Sequence, residues 1–293
     1  MCMTARDIEY DPLNDVLFKY IFGADERKHI TIDFLNAVLN REGESAIKEI
    51  EFRNVEFVPQ REEEKLSRID IFAILDNNAR VDIEVQCVNY KNMEKRSLYY
   101  WAQIFLHNNA LLTAQDYKII KPAITINVLD FNFLPSQKPY SMYTLYDAET
   151  MHRLTDVIEL YFFEVPKFAK KPVKEMNHIE KWLAFFSKKL SKKEKEAVAV
   201  TEPAIQNAMN AAEKFFMDDA AYMAYINRQA AILDYNSGIN AAHEEGFEKG
   251  FEKGLEQGRE QGREEGREEG EEKLLRLMNA LYKAGRQDDI AKL

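Results

Sequence analysis

Residues 66–88 read LSRIDIFAILDNNARVDIEVQCV, and everything around them is interpreted from this run. Apolar and polar residues alternate on either side of Asp76-Asn77-Asn78, and Ile, Val and Phe dominate the apolar places. Period-two alternation of β-branched and aromatic residues predicts two strands, and the Asp/Asn triplet predicts the turn between them. Alternate residues of a strand share a face. Asp70, Phe72 and Ile74 therefore share one face of the first strand. Asp82, Glu84 and Gln86 share one face of the second, with Val81, Ile83, Val85 and Cys87 turned toward a core.

Whether the acidic residues converge depends on register. Asp70 lies on the face of Glu84 and Gln86 only if paired positions sum to an even number. A three-residue loop at Asn77-Asn78-Ala79 pairs 76 with 80, hence 70 with 86 and 72 with 84. A two-residue Asn-Asn turn instead pairs 76 with 79 and sends Asp70 to the opposite face. Convergence thus predicts a three-residue loop or a bulge. Two adjacent carboxylates repel unless a cation sits between them. Hard oxygen donors suit magnesium or manganese. Such an ion activates water and stabilises charge developing on a phosphodiester. The same spacing also describes a solvent-facing polar row on an antiparallel sheet. Asp82 is read as an exposed strand residue flanking the site.

Upstream, residues 12–40 read as two helices. Asp11-Pro12 supplies a start, Val16, Leu17, Tyr20 and Ile21 follow helical spacing, and Gly23 stops the first. Ile30, Phe34, Leu35, Val38 and Leu39 form the stripe of the second. Residues 47–58 (IKEIEFRNVEFV) alternate as a further strand. Downstream, 91–113 read as a helix and 122–130 (PAITINVLD) as a strand buried in mid-sheet. Strand-like runs follow at 140–146 and 157–165. Two helices, three strands, a helix and more strands describe a mixed α/β domain over residues 10–166.

Prolines 166 and 172 and a lysine-rich run mark a boundary. Ile179, Trp182, Leu183, Phe185 and Phe186 open a helical region, 167–240, with helices expected to about residue 235. Residues 241–293 form a charged tail in which glycines recur every four residues from Gly246 to Gly270. Each internal glycine costs a helix about 1 kcal/mol relative to alanine. The tail reads equally as a frayed, solvated segment or as a stripe for self-association.

The ordered residues resemble a known family. Asp70, Glu84 and Gln86, spaced ID-x13-E-x-Q, resemble the PD-(D/E)XK nuclease motif with Gln in place of the usual Lys. DVLFKYIF (Asp15 to Phe22) resembles the opening helix of the Rpn family, the recombination-promoting nucleases also called PD-(D/E)XK family transposases. Arg96, Tyr99, Tyr100 and Gln103 resemble that family's Arg/Tyr helix, and the glycine-periodic tail is frequent there. The resemblance implies a restriction-endonuclease-like α/β core, a mixed sheet flanked by helices. It implies Asp70 and Glu84 as ligands of Mg2+ (or Mn2+), the Val85 carbonyl completing the set, and Gln86 in the lysine position. It brings Asp15 toward the metal or its water, and gives Arg96 and Tyr100 a phosphate-binding or bracing role. Glutamine cannot act as a base. A lysine from elsewhere could supply the missing cation: Lys19, Lys91 and Lys95 are candidates, although Lys19 reads first as part of a solvated helix face.

Composition bounds the alternatives. The chain has 293 residues, 46% hydrophobic, too apolar for a disordered one. Two cysteines exclude a disulfide framework and a four-cysteine zinc site, and fit a cytoplasmic setting. Five histidines, including His178, lack the spacing of zinc catalysis. No signal peptide or membrane span is expected. The net charge of -10 opposes bulk electrostatic binding of nucleic acid, but residues 167–200 carry ten Lys/Arg against four Asp/Glu. The implied activity is metal-dependent DNA endonuclease cleavage in recombination, transposition or phage defence, with DNA as partner. Two rivals remain: a nuclease fold that binds nucleic acid or protein without cutting, and a homo-oligomeric assembly protein driven by the tail.

Overall fold

Asn14, not Pro12, starts the first helix. Its side chain accepts from the amides of Val16 and Leu17 and caps α1 (Asp15–Phe22). The start expected at Asp11-Pro12 is displaced because Asp11 and Asn14 form a turn ahead of the helix. Gly23 ends α1 where expected: a Cβ there would lie 2.8 Å from the Lys19 carbonyl oxygen. α2 (Lys28–Val38) then buries Ile30, Phe34, Leu35 and Val38. The computed structural model describes residues 9–53, 56–57, 67–68, 70–108 and 117–286. Parts of three expected elements lie outside these: residues 54, 55 and 58 of the first strand run, 66 and 69 of the second, and 109–113 of the helix. The opening residues 1–8 and the last seven also lie outside.

The strands are β1 (Ile50–Phe52), β2 (Glu56–Phe57), β3 (Ser67–Arg68), β4 (Ile71–Leu75), β5 (Arg80–Gln86), β6 (Ala123–Leu129), β7 (Tyr140–Tyr143) and β8 (Ile158–Glu164). Six form one sheet in the order β1-β4-β5-β6-β8-β7, and β2 pairs with β3 separately. β5, β6 and β8 run parallel; the outer pairs are antiparallel. All of β6 is buried, as a parallel central strand should be.

The β4–β5 register pairs Ile71 with Ile83 and Phe72 with Asp82. The loop has three residues, so parity is as required, but it is Asp76-Asn77-Asn78, one place earlier than expected. Leu75 closes on Ala79 through its amide, and Asn78 takes φ 62° at the left-handed place of such a loop. The paired positions shift by two, so Asp70 comes opposite Glu84 rather than Gln86.

α3 (Met93–Asn108) covers the face of the sheet that carries the polar row. Phe72, Ile104 and Ala123 cluster beneath it, with Trp101 Nε1 donating to the Ala123 carbonyl. The other face carries the main core. Val81, Ile83, Val85, Ile124, Ile126 and Val128 meet α1, α2, α4 (His178–Phe186), α5 (Lys192–Thr201) and α6 (Pro203–Phe215) there. Phe18, Phe22, Phe34, Trp182 and Phe186 pack at its centre, Phe18 on Phe22 stacked and the rest tilted or edge-on. With both faces covered, the polar row of β5 is not solvent-facing: Asp82 is 0% exposed and Glu84 2%. The expected exposure of Asp82 is overturned, because one sheet alone does not reveal that a helix lies over it.

The chain divides into two units, Met1–Ile232 and Leu233–Leu293. α7 (Asp219–Lys283) is one helix of 65 residues, extending past the end expected near 235. In the second unit, pairs four residues apart offset part of the glycine cost: Lys249 with Glu245, Lys273 with Glu269, and Arg276 with Glu272. Each is worth about 0.3–0.5 kcal/mol. Among the described residues no helix is long and apolar enough to cross a membrane.

Candidate active site

The β4–β5 register sets the site. The Asp70 amide donates to Glu84 Oε1 at 3.0 Å, and the Val85 amide donates to Asp70 Oδ2 at 3.1 Å. The Glu84 carboxylate is thus held by the Asp70 amide, and the Asp70 carboxylate by the amide of Val85, the residue after Glu84. Gln86 Nε2 donates to Glu84 Oε2 at 3.2 Å. Lys19, from the last turn of α1, places Nζ 2.8 Å from Asp70 Oδ1. It stands at the site rather than on a solvated helix face, reaching the residue just ahead of β4 because α1 packs beside β5. Lys91 and Lys95 make no described contact with either carboxylate.

A cleft of about 230 Å³ opens here, lined by Asp15, Asp70, Val85, Gln86, Arg96 and Arg228, with Cys87, Val88 and Tyr90. Glu84 lies beneath, held by Asp70 and Gln86. Arg96 Nη2 comes within 3.6 Å of Glu84 Oε2, and its guanidinium lies 5.2 Å from the Tyr100 ring centre, one turn along α3. Tyr100 thus braces Arg96 and does not line the cleft. Asp15 Oδ1 accepts from the Val16 amide and from Arg228 Nε of α7 at 2.8 Å. Arg228 is 213 residues away in the chain, and nothing near it in the sequence marks it.

The electrostatics reflect crowded acids. Burial first, and then the Asp70 charge, push Glu84 up to about 8, although the Asp70 amide, Arg96 and Lys19 oppose this. Asp82 is raised well above the carboxylate range by burial, then by Glu84 and Asp70. Neither Asp82 oxygen has a hydrogen-bond partner among the described residues, nor does the hydroxyl of Thr125, its partner on β6. Asp82 therefore lies buried beneath the site rather than flanking it in solvent. An all-oxygen pair in which burial and a neighbouring carboxylate disfavour the charged form of Glu84 fits a hard divalent cation.

A second cluster joins the helices of the opposite face. Asp33 (α2), His178 (α4) and Glu202, just ahead of α6, present atoms close enough to hold a divalent metal ion. His178 Nε2 lies 2.8 Å from Asp33 Oδ1 and 3.9 Å from Glu202 Oε2. Trp182 Nε1 donates to Asp33 Oδ1, and Lys181 Nζ donates to Glu202 Oε1. Hydrogen bonding to Asp33 raises His178 above its usual value. The scattered histidines in the sequence gave no sign of this grouping, whose members lie 145 and 24 residues apart.

A mixed sheet flanked by helices, with an Asp–Glu pair where β4 meets β5, defines a restriction-endonuclease-like PD-(D/E)XK core. The family model described as PD-(D/E)XK nuclease family transposase matches residues 12–242. That match spans most of the chain, and the chain belongs to this family. No curated protein and no solved structure matches it.

Proposed function

We propose that this chain is a Mg2+- or Mn2+-dependent DNA endonuclease of the recombination-promoting Rpn group, acting in recombination, transposition or phage defence. The observation that carries this is the interlocked Asp70–Glu84 pair facing a cleft, with Lys19 on Asp70. Asp70, Glu84 and the Val85 carbonyl would hold the ion. The chemistry supplied there is Lewis acidity toward a phosphoryl oxygen and a more acidic water.

The chain's own groups do the rest. Lys19 would supply the cation that Gln86 lacks: its ammonium, 2.8 Å from Asp70 Oδ1, would stabilise negative charge developing at the ion's water. Gln86, uncharged, orients water through its amide. Arg96, stiffened over Tyr100, holds a phosphate oxygen, and Asp15 orients water from the α1 side. Focused cations in a cleft can hold a polyanion despite a negative total charge.

The test is nicking of supercoiled plasmid in magnesium or manganese by the native chain and by Asp70→Ala. Cutting by the native chain alone supports the reading. Equal cutting by both removes the site from it, and no cutting by either moves the weight to a non-cleaving binding module.

A separate feature favours self-association of the tail. Phe247, Phe251 and Leu255 form an exposed apolar stripe beside the glycines of the second unit. Replacing Phe247 and Phe251 by Ser in the full chain should lower the mass measured by light scattering; an unchanged mass would remove the tail from assembly.

A further inference from the structure

Arg228 belongs to none of the motif residues, yet it stands in the cleft they form. Its position is built rather than incidental. Tyr225, one turn earlier on α7 and 3% exposed, packs its ring against Phe216. The Tyr225 hydroxyl accepts from the Asp11 amide and from Gln229 Nε2, both at 2.8 Å. The Tyr225 carbonyl accepts from Asn14 Nδ2. These bonds tie the start of α7 to the residues that cap α1. Arg228, three residues on, shares the helix face of Tyr225 and so is directed at Asp15.

The guanidinium is only partly used. Nε donates to Asp15 Oδ1 at 2.8 Å. Among the described residues the two Nη nitrogens meet no acceptor, and the side chain is 44% exposed. A planar fork fixed at one edge and open at the other matches the geometry of a phosphate. The other arginine of the cleft, Arg96, faces the buried Glu84 and stacks on Tyr100. The remaining charged groups lining the cleft, Asp15 and Asp70, repel a phosphodiester.

We propose that Arg228 is a phosphate-binding residue of this cleft, supplied from the C-terminal helix, and that it clamps the nucleic-acid backbone while Asp15 holds the fork in place. This deepens the nuclease reading and rests on it.

The test is binding of a fluorescein-labelled DNA duplex to the full chain, followed by anisotropy across a potassium chloride series. Calcium replaces magnesium so that binding is read without turnover. One lost phosphate contact lowers the slope of log affinity against log salt by about 0.9. Arg228→Gln is expected to lose that slope and to weaken binding several-fold at low salt. Arg228→Lys, which keeps a charge on the same helix, is expected to keep the slope, and Arg228→Met, which keeps the stem and removes the charge, is expected to lose it and serves as the readout if the Gln variant melts early. Asp15→Asn is expected to bind at least as tightly as the native chain, because its amide oxygen still accepts from Arg228 Nε while a repelling charge is removed. An unchanged slope in Arg228→Gln overturns the proposal. So does equal weakening by Asp15→Asn and Arg228→Gln, which would make the pair only a structural brace. No binding by the native chain would instead sink the nucleic-acid reading itself, and the proposal with it.

Discussion

The molecule holds two carboxylate clusters, one on each side of its sheet, and they resolve their charge in opposite ways. At the β4–β5 junction Asp70, Glu84 and Asp82 crowd together under α3, and burial plus mutual repulsion push Glu84 up to about 8. Between α2 and α4, Asp33 and Glu202 are met by His178, Lys181 and Trp182, so each acid has a donor. In the first cluster Lys19 and Arg96 face three acids and Asp82 has no partner among the described residues; in the second, both acids are met. A group of acids only partly compensated inside a fold is the more informative candidate for a cation site, because it leaves free energy for the cation to recover.

Substitutions can break this contrast, and the largest effect is expected at the motif pair. Asp70→Ala and Glu84→Gln should each lower the cleavage rate by about 10³-fold, equivalent to roughly 4 kcal/mol of transition-state stabilisation. His178→Ala should leave cleavage within about twofold when measured in the same assay. Lys19→Met should reduce kcat by about 10–100-fold with little change in KM, and Lys19→Arg should recover part of it; an unchanged kcat would return Lys19 to a structural ion pair.

Stability against pH separates the clusters in sign. Glu84 is raised in the folded state, so its contribution is complete below about 4.5 and is lost as pH rises through about 8. Glu84→Gln should therefore raise the Tm of the metal-free protein above pH 8, by about 2–4 °C per kcal/mol, with the gain vanishing toward pH 4.5. His178 is also raised, but by a favourable bond to Asp33. Its contribution is present below about 6.5 and fades as pH rises through its folded value. Asp33→Asn should thus cost the protein about 1 kcal/mol at pH 6 and less at pH 9, read as a narrowing Tm gap. A gap that widened with pH would contradict this sign.

Much of the fold was legible in local pattern. Period-two alternation located β4 and β5, the apolar run at 122–130 located the central strand, and the stripe of Ile30, Phe34 and Leu35 located α2. The parity argument required the three-residue loop that forms, although not its place. That place depends on Asn78 accepting a positive φ, a preference that Asn77 and Asn78 share equally in the sequence. What was not legible was tertiary. α3 lies over the polar row through Trp101, Ile104 and the sheet, so Asp82 is buried although its strand pattern alone reads as half exposed. The chain order of Asp70, Glu84, Gln86, Arg96 and Tyr100 was readable by resemblance. Lys19 could be named only as one of three lysines, since a helix surface does not reveal which residue reaches a neighbouring strand. Arg228 and the Asp33–His178–Glu202 grouping are assembled by packing across long stretches of chain, and they leave no local signal.

The central claim is that the partly compensated Asp70–Glu84 cluster is the one that takes a hard divalent ion. Titration of the full chain with Mn2+ at pH 8, followed by calorimetry, tests it most directly when the native protein is compared with Glu84→Gln and with His178→Ala. The account predicts binding that Glu84→Gln abolishes and His178→Ala preserves. Binding that survives Glu84→Gln and disappears in His178→Ala would place the ion between α2 and α4 and contradict it.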